Sequence, residues 1–434
     1  MYSPKHLARA AAIGAVIVVA ACEADHDVFG PNPPTGGEIF RTYVAIGNSI
    51  TAGWQSGGIN DSTQRESYAL YLAQQMGLTV GPTMASDFVY PSFPITGCPA
   101  PVTNFLTQAR LGAPNNPPCT LRSASPELVH NVAVPGATVS DPTTTAGNTT
   151  SSAINQFILG GRSQVDRALM ADPTFATIWI GNNDVLAAGV SGVLTAVAGV
   201  SPGVTPLATF TQKFDDIVTQ LTSRAPDLEG AMIAVIQVAN APVLFPAALL
   251  FNPAVKAAFD QAAGGVTTLL PTCTPTTTSL ISFQITASYR ALAPTAPRPI
   301  SCDKSTATPQ NQLLGEVFVL DAQDMAALSA AINAYNAYIQ QKATQLGWAY
   351  FDPNPALAQL KANGSIPAFP NLADPANPFG QYFSLDGVHP RRASHVLAAN
   401  GVIDAINAKY ATTIPKVDVA TTGSRPVQVS TSTP

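Results

Sequence analysis

The chain has 434 residues, of which 46% are hydrophobic and only 11% are charged, and its formal net charge is −5 at pH 7. This composition supplies enough apolar surface for a large core and excludes disorder throughout, while the 38 prolines predict long, uncharged loops. The net charge is negative and lysine and arginine form no cluster, which argues against a nucleic acid partner.

The first segment has the layout of an export signal. Residues 1–21 carry Lys5 and Arg9, followed by an uncharged apolar run that is too short to cross a bilayer comfortably as a helix. The sequence VAAC at 19–22 resembles a bacterial lipobox, in which the cysteine is lipidated and becomes the new N-terminus. We therefore expect an exported protein, anchored through Cys22 at the outer membrane or cell surface of the bacterial envelope. The alternative is ordinary signal cleavage, giving a secreted or periplasmic protein.

The remaining chain divides into a tether, a body and a tail. Residues 22–38 are acidic and then rich in proline and glycine, which predicts a tether. Residues 39–411 form the predicted single-domain body, interrupted by two long insertions at about 80–128 and 241–312. Residues 412–434, rich in Thr, Ser, Val and Pro, are predicted to be disordered.

Within the body, continuous apolar strands alternate with amphipathic helices. Strands are predicted at residues 41–46, 130–136, 175–180, 232–238, 317–320 and 348–351. Helices are predicted at residues 66–76, 151–170, 210–221 and 328–339. This alternation indicates a mostly parallel sheet covered by helices on both faces. The AALLF run in the second insertion is interpreted either as a lid over a site or as ordinary surface packing.

Four cysteines remain beside Cys22, and an even number in an exported chain predicts two disulfides. Four cysteines allow three pairings. We favour Cys98 with Cys119 and Cys273 with Cys302, because each pair lies within one proline-rich loop. A metal site is not favoured, since the spacings are wide and no histidine is close to any of the four.

The stretch TYVAIGNSITAG at 42–53 joins an apolar strand to a tight turn that Gly47 permits. The turn presents Ser49 as a candidate nucleophile, which requires a histidine base, a group that orients the base, and donors for an oxyanion. Ligands of open parallel sheets bind beyond the carboxyl ends of the strands, where this chain carries GNS, PG and GNND. Singly, each turn also has a structural interpretation: Gly136 as a turn glycine and Asn183 as a helix cap.

The candidate base is chosen among four histidines that follow the signal segment. His26 falls in the tether, His130 precedes a buried strand and is interpreted as structural, and His395 lies in the last helix. His389 is placed best, three residues after Asp386 in SLDGVHP, although DG is also an ordinary turn signal.

In chain order, GNS, Gly136, GNND and the pair Asp386 and His389 resemble the four signature blocks of the SGNH/GDSL hydrolase superfamily, over residues 43–408. The resemblance implies a doubly wound, flavodoxin-like, three-layer α/β/α fold. It further implies that His389 is the general base for Ser49, that Asp386 orients it, and that the oxyanion hole comprises the backbone N–H groups of Ser49 and Gly136 and the side-chain amide of Asn183.

Asn48 departs from the family pattern, which more often has aspartate there. The position is not catalytic in the resemblance, and asparagine can cap a helix as aspartate does.

The function that the resemblance implies is hydrolysis of carboxylic esters by a serine esterase or lipase, through an acyl-serine intermediate. Neither a metal nor an organic cofactor is implied, and we expect a monomer acting on a small-molecule or lipid ester. The apolar insertions favour lipid-like or medium-chain substrates. The alternatives are a carbohydrate acetyl esterase or an acyltransferase with the same triad. A non-catalytic surface-binding lipoprotein that retains the fold is an alternative of another class.

Overall fold

A computed structural model describes residues 37–112, 121, 127–145, 152–303 and 318–418. The predicted signal segment, Cys22 and most of the tether therefore lie outside the described residues, as does Cys119. None of the helices in the described ranges is long and apolar enough to cross a membrane.

The strands are short and lie throughout the chain. Strands β1 to β11 span Tyr43–Gly47, Val80–Gly81, Phe88–Val89, Phe175–Trp179, Glu229–Ile233, Leu244–Pro246, Thr268–Leu269, Leu280–Ser282, Pro299–Ile300, Val319–Leu320 and Ala349–Phe351. Helices α1 to α12 span Ser49–Ala52, Asp61–Arg65, Tyr68–Gln75, Ser152–Leu159, Gln164–Leu169, Asn183–Ser191, Leu207–Arg224, Pro253–Ala262, Ile285–Arg290, Ala322–Leu346, Asn354–Ala362 and Arg392–Tyr410. Short 3-10 helices occur at Glu38–Phe40, Val238–Asn240 and Ala247–Phe251.

The central sheet is parallel, with strand order β1-β4-β5-β11. Beside β1, the extended segment around Asn131 continues the sheet through a parallel bridge to Ala45. The Ala45 N–H donates to the His130 carbonyl at 2.8 Å, and the Val132 N–H donates to the Ala45 carbonyl at 3.0 Å. With this segment included, the order is 2-1-3-4-5, which is the flavodoxin-like order of doubly wound folds. The predicted fold class is confirmed.

The two faces of the sheet pack into separate cores. Tyr43 and Ala45 of β1 belong to a core that includes α3 and α12, whereas Val44 and Ile46 belong to a larger core that includes α5, α7 and α10. Helix α7 contributes the apolar positions that its sequence spacing predicts, and all five are buried: Phe210, Phe214, Ile217, Val218 and Leu221. Alternation within one strand therefore produces a layer of helices on each side of the sheet.

Three predicted elements differ in the structure. The helix predicted over 151–170 is divided into α4 and α5 at Gly160 and Gly161, which both have positive φ. The strand predicted at 232–238 begins earlier, at Glu229, and ends at Ile233. The strand predicted at 317–320 is β10, which pairs antiparallel with β8 instead of joining the parallel sheet. Apolar periodicity located these segments but did not specify their boundaries or partners.

The second insertion is folded in large part. Strands β6, β8 and β10 form a small antiparallel sheet, and a disulfide joins Cys273 to Cys302, as predicted. Cys98 is also disulfide-bonded, but its predicted partner Cys119 lies outside the described residues, so that pairing stays a prediction. The AALLF run forms the 3-10 helix at Ala247–Phe251 and packs against α8.

The tail predicted to be disordered is ordered over its first residues, and this part of the prediction is wrong. Ile414 and Val417 are buried against α12. Their backbone N–H groups donate to the side-chain oxygens of Asn407 and Asn400, each at 2.8 Å. Residues 419–434 lie outside the described part of the chain.

Candidate active site

Ser49 is the first residue of α1 and directly follows the turn at the carboxyl end of β1. The turn requires glycine, since a Cβ at Gly47 would lie 2.9 Å from the backbone oxygen of Trp179. Asn48 caps α1, and its Oδ1 accepts the Ile50 N–H at 3.1 Å. Asparagine thus serves as the cap where the family more often has aspartate.

A continuous hydrogen-bonded chain connects Ser49, His389 and Asp386. The distance from His389 Nε2 to Ser49 Oγ is 2.9 Å, and the distance from His389 Nδ1 to Asp386 Oδ2 is 2.8 Å. The carboxylate accepts from Nδ1–H, which leaves the Nε2 lone pair to accept the serine hydroxyl. Residues separated by 340 positions in the chain are therefore within proton-transfer reach.

The carboxylate of Asp386 accepts four hydrogen bonds besides the one from the imidazole. Its Oδ1 accepts the N–H groups of Val388 and His389 at 3.0 and 2.8 Å and the Ser384 hydroxyl at 3.0 Å. Its Oδ2 accepts the Gly57 N–H at 2.8 Å. Burial alone would raise the pKa of Asp386, but His389 and the hydrogen bonds outweigh burial and hold this pKa well below its usual range. The carboxylate is therefore anionic at neutral pH.

Ser384 and Gly57 were not predicted as site residues. Ser384 Oγ accepts the Ser56 N–H at 2.8 Å and donates to Asp386, so it connects the loop after α1 to the loop of the acid. Its signal in the sequence is its place two residues before Asp386. Gly57 bonds to Asp386 through its backbone N–H although the two residues are 329 positions apart. No sequence pattern indicates this contact.

Gly136 lies in a turn with φ of 85°, a left-handed conformation that favours glycine. The turn is held beside the end of β1 by the bond from the Val134 N–H to the Gly47 carbonyl, at 3.1 Å. Asn183, the first residue of α6, donates from Nδ2 to the Ala137 carbonyl at 2.8 Å. The turn at Gly136 is thus connected to both the Ser49 strand and Asn183.

Three groups are available for an oxyanion. Within the described ranges, the backbone N–H groups of Ser49 and Gly136 have no hydrogen-bond acceptor. The amide of Asn183 has a second N–H beside the one bonded to Ala137. Ser49, Asn183 and His389 line one cavity, whereas Gly136 is not part of its wall.

This cavity, called the catalytic cavity below, has a volume of about 40 Å³. Its wall residues are Ser49, Ile50, Asn182, Asn183, Leu186, Ile236, Val238, Ala241, Phe383, Val388 and His389. Asn182 was not predicted, although it is part of GNND. Its Oδ1 accepts the Ile236 N–H at 2.9 Å, and its buried Nδ2 has no partner in the part of the chain that the structure describes.

Asp184, the last residue of GNND, holds the surrounding loops. Its Oδ2 accepts the Val139 N–H at 2.9 Å, and its Oδ1 accepts the Thr205 hydroxyl at 2.7 Å. Burial raises the pKa of Asp184 to about 6. This side chain connects the segment after Gly136 to the first turn of α6, which carries Asn183.

The other two described histidines are buried and are not bonded to Ser49. His130 Nδ1 accepts the Val89 N–H at 3.0 Å, and burial lowers the pKa of His130 to about 4. His395 Nδ1 accepts the Tyr68 N–H at 3.3 Å, and burial lowers the pKa of His395 to about 3. Both rings are therefore neutral at pH 7. No cluster of three or more potential metal ligands from His, Cys, Asp or Glu occurs in the described residues.

Comparison with known proteins gives one family. The family model described as GDSL-like Lipase/Acylhydrolase matches residues 43–402. No curated protein matches the sequence. Similar solved structures include a catalytic mutant of an acetylxylan esterase from Geobacillus stearothermophilus, with 11% identity over 90% of this chain and 100% of that chain and a TM-score of 0.37. They also include an extracellular lipase from Streptomyces rimosus, with 14% identity over 85% of this chain and 99% of that chain and a TM-score of 0.33.

Proposed function

The chain belongs to the GDSL-like lipase/acylhydrolase family, and from this membership we propose that it is a serine hydrolase cleaving carboxylic esters through an acyl-serine intermediate. The observation that carries the proposal is the hydrogen-bonded chain from Ser49 Oγ through His389 to Asp386. A weak hydroxyl nucleophile becomes reactive when an oriented base can take its proton, and these contacts meet that requirement.

In the first half-reaction, Ser49 Oγ attacks the ester carbonyl carbon while His389 Nε2 takes the hydroxyl proton. The carbonyl oxygen becomes an oxyanion, stabilised by the N–H groups of Ser49 and Gly136 and by the Asn183 amide. Loss of one such donor typically costs about 100- to 1000-fold in rate. Anionic Asp386 stabilises the imidazolium, which then protonates the leaving alcohol as the C–O bond breaks.

In the second half-reaction, His389 takes a proton from water, and the resulting hydroxide oxygen attacks the acyl-serine carbonyl. The same donors stabilise the second oxyanion. Collapse releases the carboxylic acid, and the proton on His389 returns to Ser49 Oγ. No step requires a metal or an organic cofactor.

For the substrate, we propose a lipid-like or medium-chain ester, because most of the catalytic cavity wall is apolar. Its apolar side chains include Leu186, Ile236, Val238, Phe383 and Val388. A carbohydrate acetyl esterase or an acyltransferase with the same triad is the alternative. Rates across p-nitrophenyl esters of increasing chain length test the carbohydrate acetyl esterase, since a preference confined to acetate counts against a chain-binding enzyme. The acyltransferase is tested by whether an added alcohol outcompetes water for the acyl-enzyme.

A fluorophosphonate probe tests the catalytic role of Ser49. We expect covalent labelling of the wild type, no labelling of Ser49→Ala, and full labelling of Ser365→Ala, which removes an exposed serine elsewhere. Labelling that persists in Ser49→Ala would show that the nucleophile is another residue. A folded wild type that is not labelled would favour the non-catalytic binding lipoprotein.

We further propose that the protein is a monomer, anchored at the bacterial envelope through a lipidated Cys22, on the basis of the VAAC sequence at 19–22. Cells fed a labelled fatty acid should incorporate the label into the wild type and not into Cys22→Ser, which should leave the membrane fraction. Equal labelling of both proteins would overturn the anchor.

A further inference from the structure

A second cavity adjoins the catalytic cavity and shares two wall residues with it, Ile236 and Phe383. Its volume is about 50 Å³, close to the 40 Å³ of the catalytic cavity. The Ile236 N–H is held by Asn182 Oδ1, and Phe383 pairs with Pro390 on the loop that carries His389. The backbones of the two shared residues are therefore held by Asn182, which lines the catalytic cavity, and by the residue that follows His389.

The wall of this second cavity is mainly hydrocarbon. Phe351, Leu357, Leu360 and Ala398 are among its apolar residues. They come from β11, α11 and α12, whereas the insertion at 241–312 supplies none of its wall residues. The main fold thus contains an apolar cavity that shares wall residues with the catalytic cavity.

The polar side chains in the wall are either bonded within the protein or buried. The Ser394 hydroxyl and the Trp179 indole N–H donate to backbone carbonyls at 2.7 and 3.0 Å. His395 is fully buried, and its Nδ1 accepts the Tyr68 N–H, so its Nε2 carries the proton. This Nε2–H has no acceptor in the described residues. Since burial also lowers the pKa of His395 to about 3, the ring adds no charge to the wall at neutral pH.

Resting on the ester hydrolysis proposed above, we propose that the second cavity binds the uncharged, medium-length acyl chain of the substrate. The chain extends from the ester at Ser49 past Ile236 and Phe383. Burial of its methylene groups against the apolar wall favours binding. A short acyl group such as acetate occupies only the catalytic cavity.

Hydrolysis by two matched variants tests this assignment. Ala356→Phe introduces a bulky side chain into the second cavity from an exposed position of α11, while Gln359→Phe introduces the same side chain at an exposed position of α11 outside both walls. We expect Ala356→Phe to lower kcat/KM for p-nitrophenyl octanoate about tenfold, the loss expected when one or two methylenes are no longer buried. Its hydrolysis of p-nitrophenyl acetate should stay at the wild-type level, and Gln359→Phe should resemble the wild type on both esters.

A binding measurement separates this inference from the catalytic proposal. Trp179 lines the second cavity, so a bromine-tagged methyl ester of a medium-chain fatty acid should quench tryptophan fluorescence in Ser49→Ala. Quenching should weaken when Ala356→Phe is added and persist when Gln359→Phe is added. The chain site would be overturned if Ala356→Phe hydrolysed the acetate and octanoate esters as the wild type does, or if both double variants showed equal quenching. Either result would leave the proposed ester hydrolysis standing. Quenching without hydrolysis of either ester would support the chain site and refute the function.

Discussion

Asp386 depends on Ser384 for one of the three hydrogen bonds at its Oδ1, and Ser384 is itself fixed by the Ser56 N–H. The same carboxylate orients His389 and stabilises the imidazolium that forms during the reaction. Ser384 is therefore a positioning residue: it touches neither the nucleophile nor the cavity, and it acts through Asp386.

We predict that Ser384→Ala lowers kcat about tenfold with little change in KM, since a hydrogen bond to a charged group is worth about 1.5 kcal/mol at the low end of the usual range. Steady-state kinetics with p-nitrophenyl esters measure the change. Ser384→Thr keeps the hydroxyl and should recover most of the activity, and Ser365→Ala is the control. An unchanged kcat in a folded Ser384→Ala would show that the remaining bonds suffice to hold Asp386.

At the residue scale, the sequence indicates groups whose side chains occupy recognisable motifs. Ser49, Asn183, Asp386 and His389 were predicted from short blocks, and the structure brings them together, although their catalytic roles stay proposals. Asn182 and Ser384 lie inside the same blocks but were not predicted, because their contribution depends on which neighbour they bond. Gly57 contributes only a backbone N–H, and almost every residue type carries that group.

At the element scale, strands buried on both faces were predicted best. Every residue of β1 and β4 is buried, and both strands are short apolar runs with helices between them, a pattern that specifies a parallel sheet. The 2-1-3-4-5 order places the Ser49 turn at the switch point between β1 and β4, where ligands of doubly wound sheets bind. That position explains why residues from four separate turns meet in one site.

The elements that were mispredicted depend on partners far along the chain. Strand β10 is two residues long and is defined by pairing with β8 in the insertion, which no local pattern shows. The segment at 412–418 has the composition of a flexible tail, yet Asn400 and Asn407 bind its backbone and α12 buries Ile414 and Val417. Composition indicates how much apolar surface a segment can bury by itself. It does not indicate which apolar surface and hydrogen-bonding groups a neighbouring helix provides for that segment.

At the scale of the whole molecule, the buried neutral histidines couple folding to pH. His130 has a pKa of about 4 in the folded protein, because of burial, against about 6.5 when unfolded. Between these values the unfolded chain binds more protons than the folded protein. The contribution of neutral His130 to the free energy of unfolding is therefore fully present above about pH 6.5 and is lost as the pH decreases below it. His395 acts in the same direction. Asp184, with a pKa raised to about 6 by burial, acts in the opposite direction between about pH 4 and 6.

We predict that His130→Asn makes the free energy of unfolding less dependent on pH between pH 6 and 4.5, by about 1 kcal/mol per pH unit, because the unfolded chain binds about 0.8 more protons at His130 over this range. The asparagine amide oxygen can accept the Val89 N–H in place of Nδ1, so the variant removes the titrating group while it keeps an acceptor. Urea unfolding at several pH values measures both slopes. Because Asp184 and His395 are present in both proteins, their contributions cancel in the comparison, and parallel slopes would show that His130 already binds its proton in the folded state.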